Sequence, residues 1–309
     1  MLEAFGWIFL GLVLAGVGGE AFLKGAVGIA SWARIPASII GLTVAAFATS
    51  SPELSVAITS AMAGTPSISL GDALGSNVVN IALILGSVFL ISDTPVNTKG
   101  AKRDIPIAII QPILLIVLAL DGELSRVDAV IMLLIFFGWL GSIMIEAIGY
   151  RKETANDKKV ESNIKSNLLY SSVGLVLLVL AGKSIVHGAE NIGHIFNIDP
   201  FIIGATLVAL GTSAPELATT VLSKLRGHSD IGLGTVLGSN IFNGLFIISI
   251  AALIHPITVN IVPLQVSLAF GIISVLLLIP PKKRVFTRQR GIGLLALYSL
   301  YITLTVVLR

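Results

Sequence analysis

Long apolar runs separated by short polar segments divide the chain into ten predicted membrane-spanning helices. A helix of about 20 apolar residues crosses the hydrocarbon core of a bilayer, which is about 30 Å thick. The predicted spans lie at about residues 4–31, 36–63, 67–91, 105–120, 127–148, 167–195, 199–226, 229–254, 261–280 and 291–308. We therefore expect an all-α integral membrane protein in which spans 2 and 3 form a tight hairpin, as do spans 7 and 8.

The composition of the 309-residue chain agrees with this fold class and excludes several others. Apolar residues make up 55% of the chain and charged residues 12%, about half the roughly 25% of an average soluble domain. A net charge of +3, with the basic residues scattered between apolar runs, argues against nucleic-acid binding. The absence of cysteine excludes disulfides, thiolate metal sites and cysteine nucleophiles. We expect contact with the lipid bilayer, and no required protein partner.

The positions of lysine and arginine predict the orientation of the chain in the membrane. Sixteen of the 20 basic residues fall in the loops after spans 1, 3, 5, 7 and 9, two lie on the opposite side and two lie within spans. Since cytoplasmic loops are enriched in basic residues, we expect both termini to lie outside the cell membrane. The charged segment 149–166 is then a cytoplasmic linker between a first five-helix unit, 1–148, and a second, 167–309.

The two units contain an internal repeat. The segment 41–80 aligns with 204–243 at a constant offset of 163 residues, and 18 of 40 positions are identical. The identities include polar residues, as in GLTVAAFATSSPEL against GATLVALGTSAPEL and SISLGDALGSNVVN against DIGLGTVLGSNIFN. Because each unit has an odd number of spans, the second is expected to enter the membrane inverted. Inverted repeats are typical of secondary transporters, whose substrate site lies at the repeat interface near the midplane.

Each repeat places oxygen-bearing side chains inside predicted spans. Pro52 in span 2 and Pro215 in span 7 free the carbonyl groups four residues earlier and kink or break the helix. We expect spans 2, 3, 7 and 8, as broken helices, to form the core. The repeated side chains are spaced three or four residues apart and share helix faces. The candidate metal ligands from this pattern are Thr49, Ser50, Glu53, Ser76, Asn80, Thr212, Ser213, Glu216, Ser239 and Asn243.

These side chains offer only oxygen ligands, which suit hard cations such as Ca²⁺, or Na⁺ of similar size, and disfavour soft metals. An unpaired carboxylate in mid-membrane costs about 3 kcal/mol, so two at equivalent positions indicate function. Asn77 and Asn240 also repeat but point elsewhere on the helix, and we expect them to have supporting roles. Asp72 has Thr235 as its counterpart, so we assign it to the helix dipole and not to the site.

The two repeats resemble the α-repeats of the calcium/cation antiporter superfamily, most closely those of prokaryotic sodium/calcium exchangers. The motif Gly-Thr-Ser-x-Pro-Glu is intact at 211–216 and slightly altered at 48–53, and Gly-Ser-Asn follows at 75–77 and 238–240. The resemblance implies one Ca²⁺ site and several Na⁺ sites in which the two glutamates are the central carboxylates. It adds the backbone carbonyl groups near two further positions, Ala46 and Ala209.

The expected function is a secondary active antiporter, not an enzyme, that exchanges Na⁺ for Ca²⁺ by alternating access. The ions are substrates, and no cofactor is expected. Two carboxylates give the site a charge of about −2, which one Ca²⁺ or two Na⁺ neutralise; at three Na⁺ per Ca²⁺ exchange is electrogenic. Spans 1 and 6 are the expected moving elements. Many members of this superfamily carry aspartate at the position of Asn243, and the potassium-dependent members rely on that acid. The asparagine at this position therefore argues against potassium coupling here.

Three alternative functions are to be compared with Na⁺/Ca²⁺ exchange. A proton-coupled Ca²⁺ exchanger of the same superfamily is the main one, because two glutamates can carry protons; the repeated hydroxyl groups favour Na⁺. An intramembrane protease needs a serine–histidine pair or an aspartate dyad, and Ser69 occupies the first glycine position of a GxGD motif. A passive channel would line a continuous pore instead of a closed cage with two-fold symmetry.

Overall fold

The computed structural model describes residues 2–33, 35–96, 98–153, 163–195, 200–259, 261–282 and 285–307, most of which are helical. The helices, numbered in chain order, are α1 (Leu2–Ala33), α2 (Ser38–Thr49), α3 (Ser51–Met62), α4 (Pro66–Ile91), α5 (Thr98–Leu118), α6 (Arg126–Glu153), α7 (Ile164–Ile195), α8 (Phe201–Thr212), α9 (Ala214–Leu225), α10 (Ser229–Ile254), α11 (Ile261–Leu276) and α12 (Arg288–Val307). The strands are β1 (Thr94–Pro95), β2 (Glu123–Leu124), β3 (Ile257–Thr258) and β4 (Val285–Phe286).

The lengths and composition of these helices fit a membrane protein. Among the described residues, seven helices can cross a bilayer, or nine if the pairs α2–α3 and α8–α9 are each one span. The remaining predicted span, 261–280, corresponds to α11, which is a shorter apolar helix of 16 residues. Large apolar side chains on the outer helices are exposed, as at Leu134 (68%) and Ile145 (73%), and therefore face lipid. Half of the linker predicted at 149–166, residues 154–162, lies outside the described residues.

Spans 2 and 7 are each bent by 41° where two helices meet, at Ser50 and at Ser213. Proline explains the position of each bend. Pro52 and Pro215 stand in the first turn of the following helix, where a backbone N–H has no partner to lose. The chain therefore turns at the hydroxyl-bearing residues that the sequence analysis placed in the site.

The prediction that spans 3 and 8 are also broken is wrong. Both α4 and α10 are continuous, because neither has a proline in its interior. Each helix instead contains a wider π-helical segment, at Val79–Leu85 and at Phe242–Ile247. Such segments are frequent at functional sites, and here each includes one of the candidate asparagines.

Glycines allow the bent segments to cross α4 and α10 at backbone contact distance. A Cβ atom on Gly238 in α10 would lie 2.5 Å from the carbonyl oxygen of Leu42 in α2. A Cβ atom on Gly204 in α8 would likewise lie 2.5 Å from the carbonyl oxygen of Ile68 in α4. No side chain fits in these crossings. The crossings place Ser76 in α4 and Ser239 in α10 against the bent segment of the other half.

Two antiparallel strand pairs connect the loops outside the helices. Thr94 in β1 lies opposite Phe286 in β4, which joins the loops after predicted spans 3 and 9. Glu123 in β2 lies opposite Thr258 in β3, which joins the loops after predicted spans 4 and 8. Lys224, at the end of α9, donates a hydrogen bond of 2.8 Å to Thr94 Oγ1. Loops that the charge pattern assigns to one side of the membrane are therefore in contact.

Candidate functional site

The predicted ligands lie in the interior of the bundle, where the bent spans cross α4 and α10. All of them are at most 2% exposed, and most are fully buried. The set comprises Ala46, Thr49, Ser50, Glu53, Ser76, Asn80, Ala209, Thr212, Ser213, Glu216, Ser239 and Asn243. Fully buried polar groups are costly unless something satisfies them, so the contacts of each group determine what the site can bind.

Two serine hydroxyl groups, one from each half of the chain, hold the carboxylate of Glu216. Ser50 Oγ donates to Glu216 Oε1 at 3.0 Å, and Ser239 Oγ donates to the same oxygen at 3.1 Å. Ser239 Oγ is also 3.5 Å from the carbonyl oxygen of Ala46, which the Thr49 hydroxyl approaches at 3.4 Å. Glu216 Oε2 has no hydrogen-bond partner. One carboxylate thus gathers oxygen atoms from α2, the bend after it, α9 and α10.

A second group of oxygens surrounds Thr212, at the end of α8. The hydroxyls of Thr212 and Ser76 are 3.3 Å apart. They lie 3.3 Å and 3.5 Å, respectively, from the carbonyl oxygen of Ala209. Ser213, the next residue, is buried and its hydroxyl has no partner. Backbone carbonyl groups at both alanine positions therefore lie among the predicted side-chain ligands.

Asp72 belongs to this second group, and its assignment to the helix dipole is wrong. The helix α4 begins at Pro66, so Asp72 lies beyond the first turn, where the dipole has little effect. Its carboxylate is 1% exposed and accepts a hydrogen bond of 2.9 Å from the Thr212 hydroxyl. Ser76 Oγ is a second donor, at 3.5 Å. The repeat did not reveal this residue, because its counterpart, Thr235, has no carboxylate. The signal that could have revealed it is its position four residues before Ser76, which places both side chains on one helix face.

Within the part of the chain that the structure describes, neither carboxylate oxygen of Glu53 accepts a hydrogen bond of standard geometry, although the Thr212 hydroxyl lies near enough to stabilise its charge. The side chain is fully buried in the first turn of α3. It lies within electrostatic range of both Glu216 and Asp72, so negative charges from the two halves repel each other here. A buried carboxylate with open lone pairs beside other carboxylates is a position that attracts a cation.

The asparagines near the site differ in whether their side chains are hydrogen-bonded. Asn80 Nδ2 donates to Asn240 Oδ1 at 3.0 Å, and Asn240 Nδ2 donates to the carbonyl oxygen of Asn77 at 3.0 Å. Asn240 thus joins α10 to α4 and supports Asn80, whose own Oδ1 has no partner. Asn243 is fully buried, and neither its Oδ1 nor its Nδ2 has a partner. Both candidate asparagines therefore present a free amide oxygen.

The donor set consists of carboxylate, hydroxyl, amide and carbonyl oxygens, which matches hard cations. Among the described residues, no three histidine, aspartate or glutamate side chains are grouped closely enough to hold one metal ion together. The carboxylates are instead distributed among neighbouring hydroxyl and carbonyl groups. This arrangement can hold ions at adjacent positions, each with few charged ligands and several neutral ones.

Comparison with known proteins identifies relatives across the whole chain. The model of a family described as "Sodium/calcium exchanger protein" matches residues 3–144 and 166–307. A membrane protein of Methanocaldococcus jannaschii is 32% identical over 98% of each chain. The sodium/calcium exchanger MaX1 of Methanosarcina acetivorans is 27% identical over 82% of this chain and 83% of its own.

A solved structure has a similar fold. It is that of the sodium-calcium exchanger NCX_Mj soaked with 100 mM Na⁺ and 10 mM Sr²⁺. The match has a TM-score of 0.81 and 30% sequence identity, and it covers 98% of both chains. The arrangement of helices around the buried carboxylates is thus shared along the full length of an exchanger.

Proposed function

Because the chain belongs to the sodium/calcium exchanger protein family, we propose that it is an antiporter that exchanges Na⁺ for Ca²⁺ across the cell membrane by alternating access. Cation antiport follows from the family, and the choice of Na⁺ and the cell membrane are our proposals. The observation that carries the proposal is Glu53, a fully buried carboxylate close to Glu216 that accepts no hydrogen bond of standard geometry from the described residues. Without a bound cation this carboxylate would have to take up a proton, because an uncompensated charge is costly in the protein interior.

The neutral oxygens around the carboxylates favour Na⁺ over protons as the coupling ion. A proton needs only a carboxylate, whereas Na⁺ and Ca²⁺ need several oxygens around each ion. The hydroxyls of Ser50 and Ser239 and the carbonyl group of Ala46 lie within 3.5 Å of one another or of Glu216. We propose that the predicted ligands bind Ca²⁺ and Na⁺ as competing substrates and that the protein has no resident cofactor.

Competition for shared carboxylates explains why the ions exchange. An empty, negatively charged site is costly to move through a low-dielectric interior, so the two conformations interconvert when ions are bound. We propose three Na⁺ per Ca²⁺, which moves one net charge per cycle and makes exchange sensitive to membrane potential by about 2.3 kcal/mol per 100 mV. In the cell, Na⁺ enters and Ca²⁺ leaves.

The helices α1 and α7 are the proposed moving elements. They pack along each other so closely that a Cβ atom on Gly18 would lie 2.8 Å from Leu177 Cβ. Both helices also lie against the bent pair α8–α9, as a Cβ atom on Gly19 would lie 3.0 Å from Leu222 Cδ1. A joint displacement of α1 and α7 across the bent spans would change which side of the membrane reaches the ions.

We propose two inverted units, 1–148 and 167–309, with the linker 149–166 in the cytoplasm and both termini outside. The two family matches on either side of the linker support this division. The strand pairs support the division of the loops between two sides, because each joins loops that the basic residues assign to the same side. Single-cysteine labelling tests it in a chain without cysteine: an impermeant maleimide on intact cells should label Glu123→Cys and leave His228→Cys unlabelled.

The exchange proposal is tested by Ca²⁺ uptake into proteoliposomes. Vesicles loaded with Na⁺ and diluted into Na⁺-free medium should accumulate radioactive Ca²⁺, faster when valinomycin and K⁺ make the interior positive. A pH gradient without Na⁺ should drive no uptake. Uptake driven by the pH gradient alone would identify a proton-coupled exchanger instead, and flux that needs no counter-ion would identify a channel.

A further inference from the structure

We propose that Asp72 is a third charged ligand of the transport site. The side chains of the site then carry a charge of −3 instead of −2, and this charge moves across the membrane field together with the bound ions. The proposal rests on the exchange function proposed above. Its consequence is that membrane potential acts on the Ca²⁺-loaded form of the protein. With two carboxylates, potential would act on the Na⁺-loaded form.

The two halves of the site are not equivalent in the structure. Glu216 accepts hydrogen bonds from Ser50 at 3.0 Å and from Ser239 at 3.1 Å. The repeat predicts that the counterparts of these serines, Ser213 and Ser76, donate to Glu53 in the same way. They do not: among the described residues, neither the Glu53 carboxylate nor the Ser213 hydroxyl has a hydrogen-bond partner of standard geometry.

Asp72 accounts for the part of this difference that concerns Ser76. The Ser76 hydroxyl lies 3.5 Å from Asp72 Oδ1, and Thr212 donates to the same oxygen at 2.9 Å. The counterpart of Asp72 is Thr235, whose hydroxyl is bonded to the carbonyl oxygen of Ile231 within its own helix. The extra carboxylate in the first half therefore attracts the Ser76 and Thr212 hydroxyls, and the oxygens of Glu53 accept no hydrogen bond of standard geometry from the described residues.

The charge of Asp72 has no protein counter-charge. It is 1% exposed, and no lysine or arginine among the described residues pairs with it. It lies within electrostatic range of Glu216 and of Glu53. A third buried carboxylate in this position stays ionised only when cations neutralise the group as a whole, and the proposal is that Asp72 is part of the charge that the bound ions balance.

The charge of each loaded form follows directly. Three Na⁺ reduce a site of charge −3 to zero, whereas one Ca²⁺ leaves it at −1. A site of charge −2 would be +1 with three Na⁺ and neutral with Ca²⁺. The net charge moved per full cycle is the same in both cases. Only the step at which potential acts is different.

The experiment measures two partial reactions in proteoliposomes with potential clamped by K⁺ and valinomycin. Ca²⁺/Ca²⁺ exchange and Na⁺/Na⁺ exchange are each followed with radioactive tracer at saturating ion on both sides. When the loaded form is charged, potential of either sign traps it on one side. One charge crossing the full field slows exchange about three- to fourfold at 100 mV relative to zero potential. When the loaded form is neutral, potential has no effect.

For the unmodified protein we expect Ca²⁺/Ca²⁺ exchange to slow with potential and Na⁺/Na⁺ exchange to be unaffected. Asp72→Asn should reverse this pattern, and Asp72→Glu should retain it. Asp230→Asn, which removes an exposed carboxylate at the start of α10, is the matched control and should behave like the unmodified protein.

Potential-independent Ca²⁺/Ca²⁺ exchange in the unmodified protein would overturn the proposal even if no variant folds. An Asp72→Asn protein with the unmodified pattern would overturn it as well. A protein that shows no Na⁺-dependent Ca²⁺ flux at all would instead refute the exchange function, so the two failures are distinguishable.

Discussion

At the scale of single residues, the two glutamates have similar sequence contexts and different surroundings. Glu216 has one oxygen bonded to two serine hydroxyls, whereas both oxygens of Glu53 are open. The repeat predicted which residues are buried together but could not predict this asymmetry. A hydroxyl can rotate to any acceptor in reach, and only the positions of neighbouring helices decide whether Ser76 donates to Glu53 or to Asp72.

Neutral replacement of either glutamate should abolish exchange. Glu53→Gln and Glu216→Gln each remove a buried charge that the ions balance, and loss of one partner of a buried charged pair costs about 3–5 kcal/mol. Na⁺-driven Ca²⁺ uptake should fall on the order of 100-fold or more in both variants, while size-exclusion profiles remain normal.

The matched control for these two variants is Glu123→Gln, an exposed carboxylate in β2, which should retain uptake. Unimpaired uptake in Glu53→Gln or Glu216→Gln would show that the replaced glutamate is not part of the site.

At the scale of helices, the sequence predicted the bends in spans 2 and 7 because proline acts locally. It failed for spans 3 and 8, where the π-helical segments depend on packing and no residue type signals them. The sequence also did not predict which helices cross closely. A glycine pattern indicates tight packing, but the partner helix and the contact distance require the tertiary structure.

Gly238→Ala should separate α10 from α2, because its Cβ atom would lie 2.5 Å from the carbonyl oxygen of Leu42. Overpacking of this kind costs about 1–3 kcal/mol, so the midpoint of thermal unfolding in detergent should fall. Ca²⁺ affinity should fall too, because the adjacent Ser239 bonds to Glu216 at 3.1 Å.

Gly138→Ala in α6 is the control for this helix crossing, since nothing lies within 4 Å of its Cβ position and its thermal midpoint should not fall. Equal midpoints for Gly238→Ala and the unmodified protein would contradict the close crossing.

At the scale of the whole molecule, hydropathy and charge predicted a helical membrane protein with its polar residues inside, and the structure agrees. The extent of α11 was less predictable, since a helix of 16 residues spans less than an apolar stretch of 20 suggests. The inverted relation of the halves and their orientation remain predictions from span parity and basic residues. The central claim is that Glu53 and Glu216, one from each half, bind the same Ca²⁺.

The most direct measurement is the position of that ion. A crystal structure with bound Ca²⁺, with data collected at a wavelength where calcium scatters anomalously, locates it independently of the protein atoms. We predict an anomalous peak at about 2.3–2.6 Å from carboxylate oxygens of both glutamates, the usual Ca²⁺–oxygen distance. A peak next to one glutamate alone, or calcium bound outside the bundle interior while exchange is active, would contradict the account.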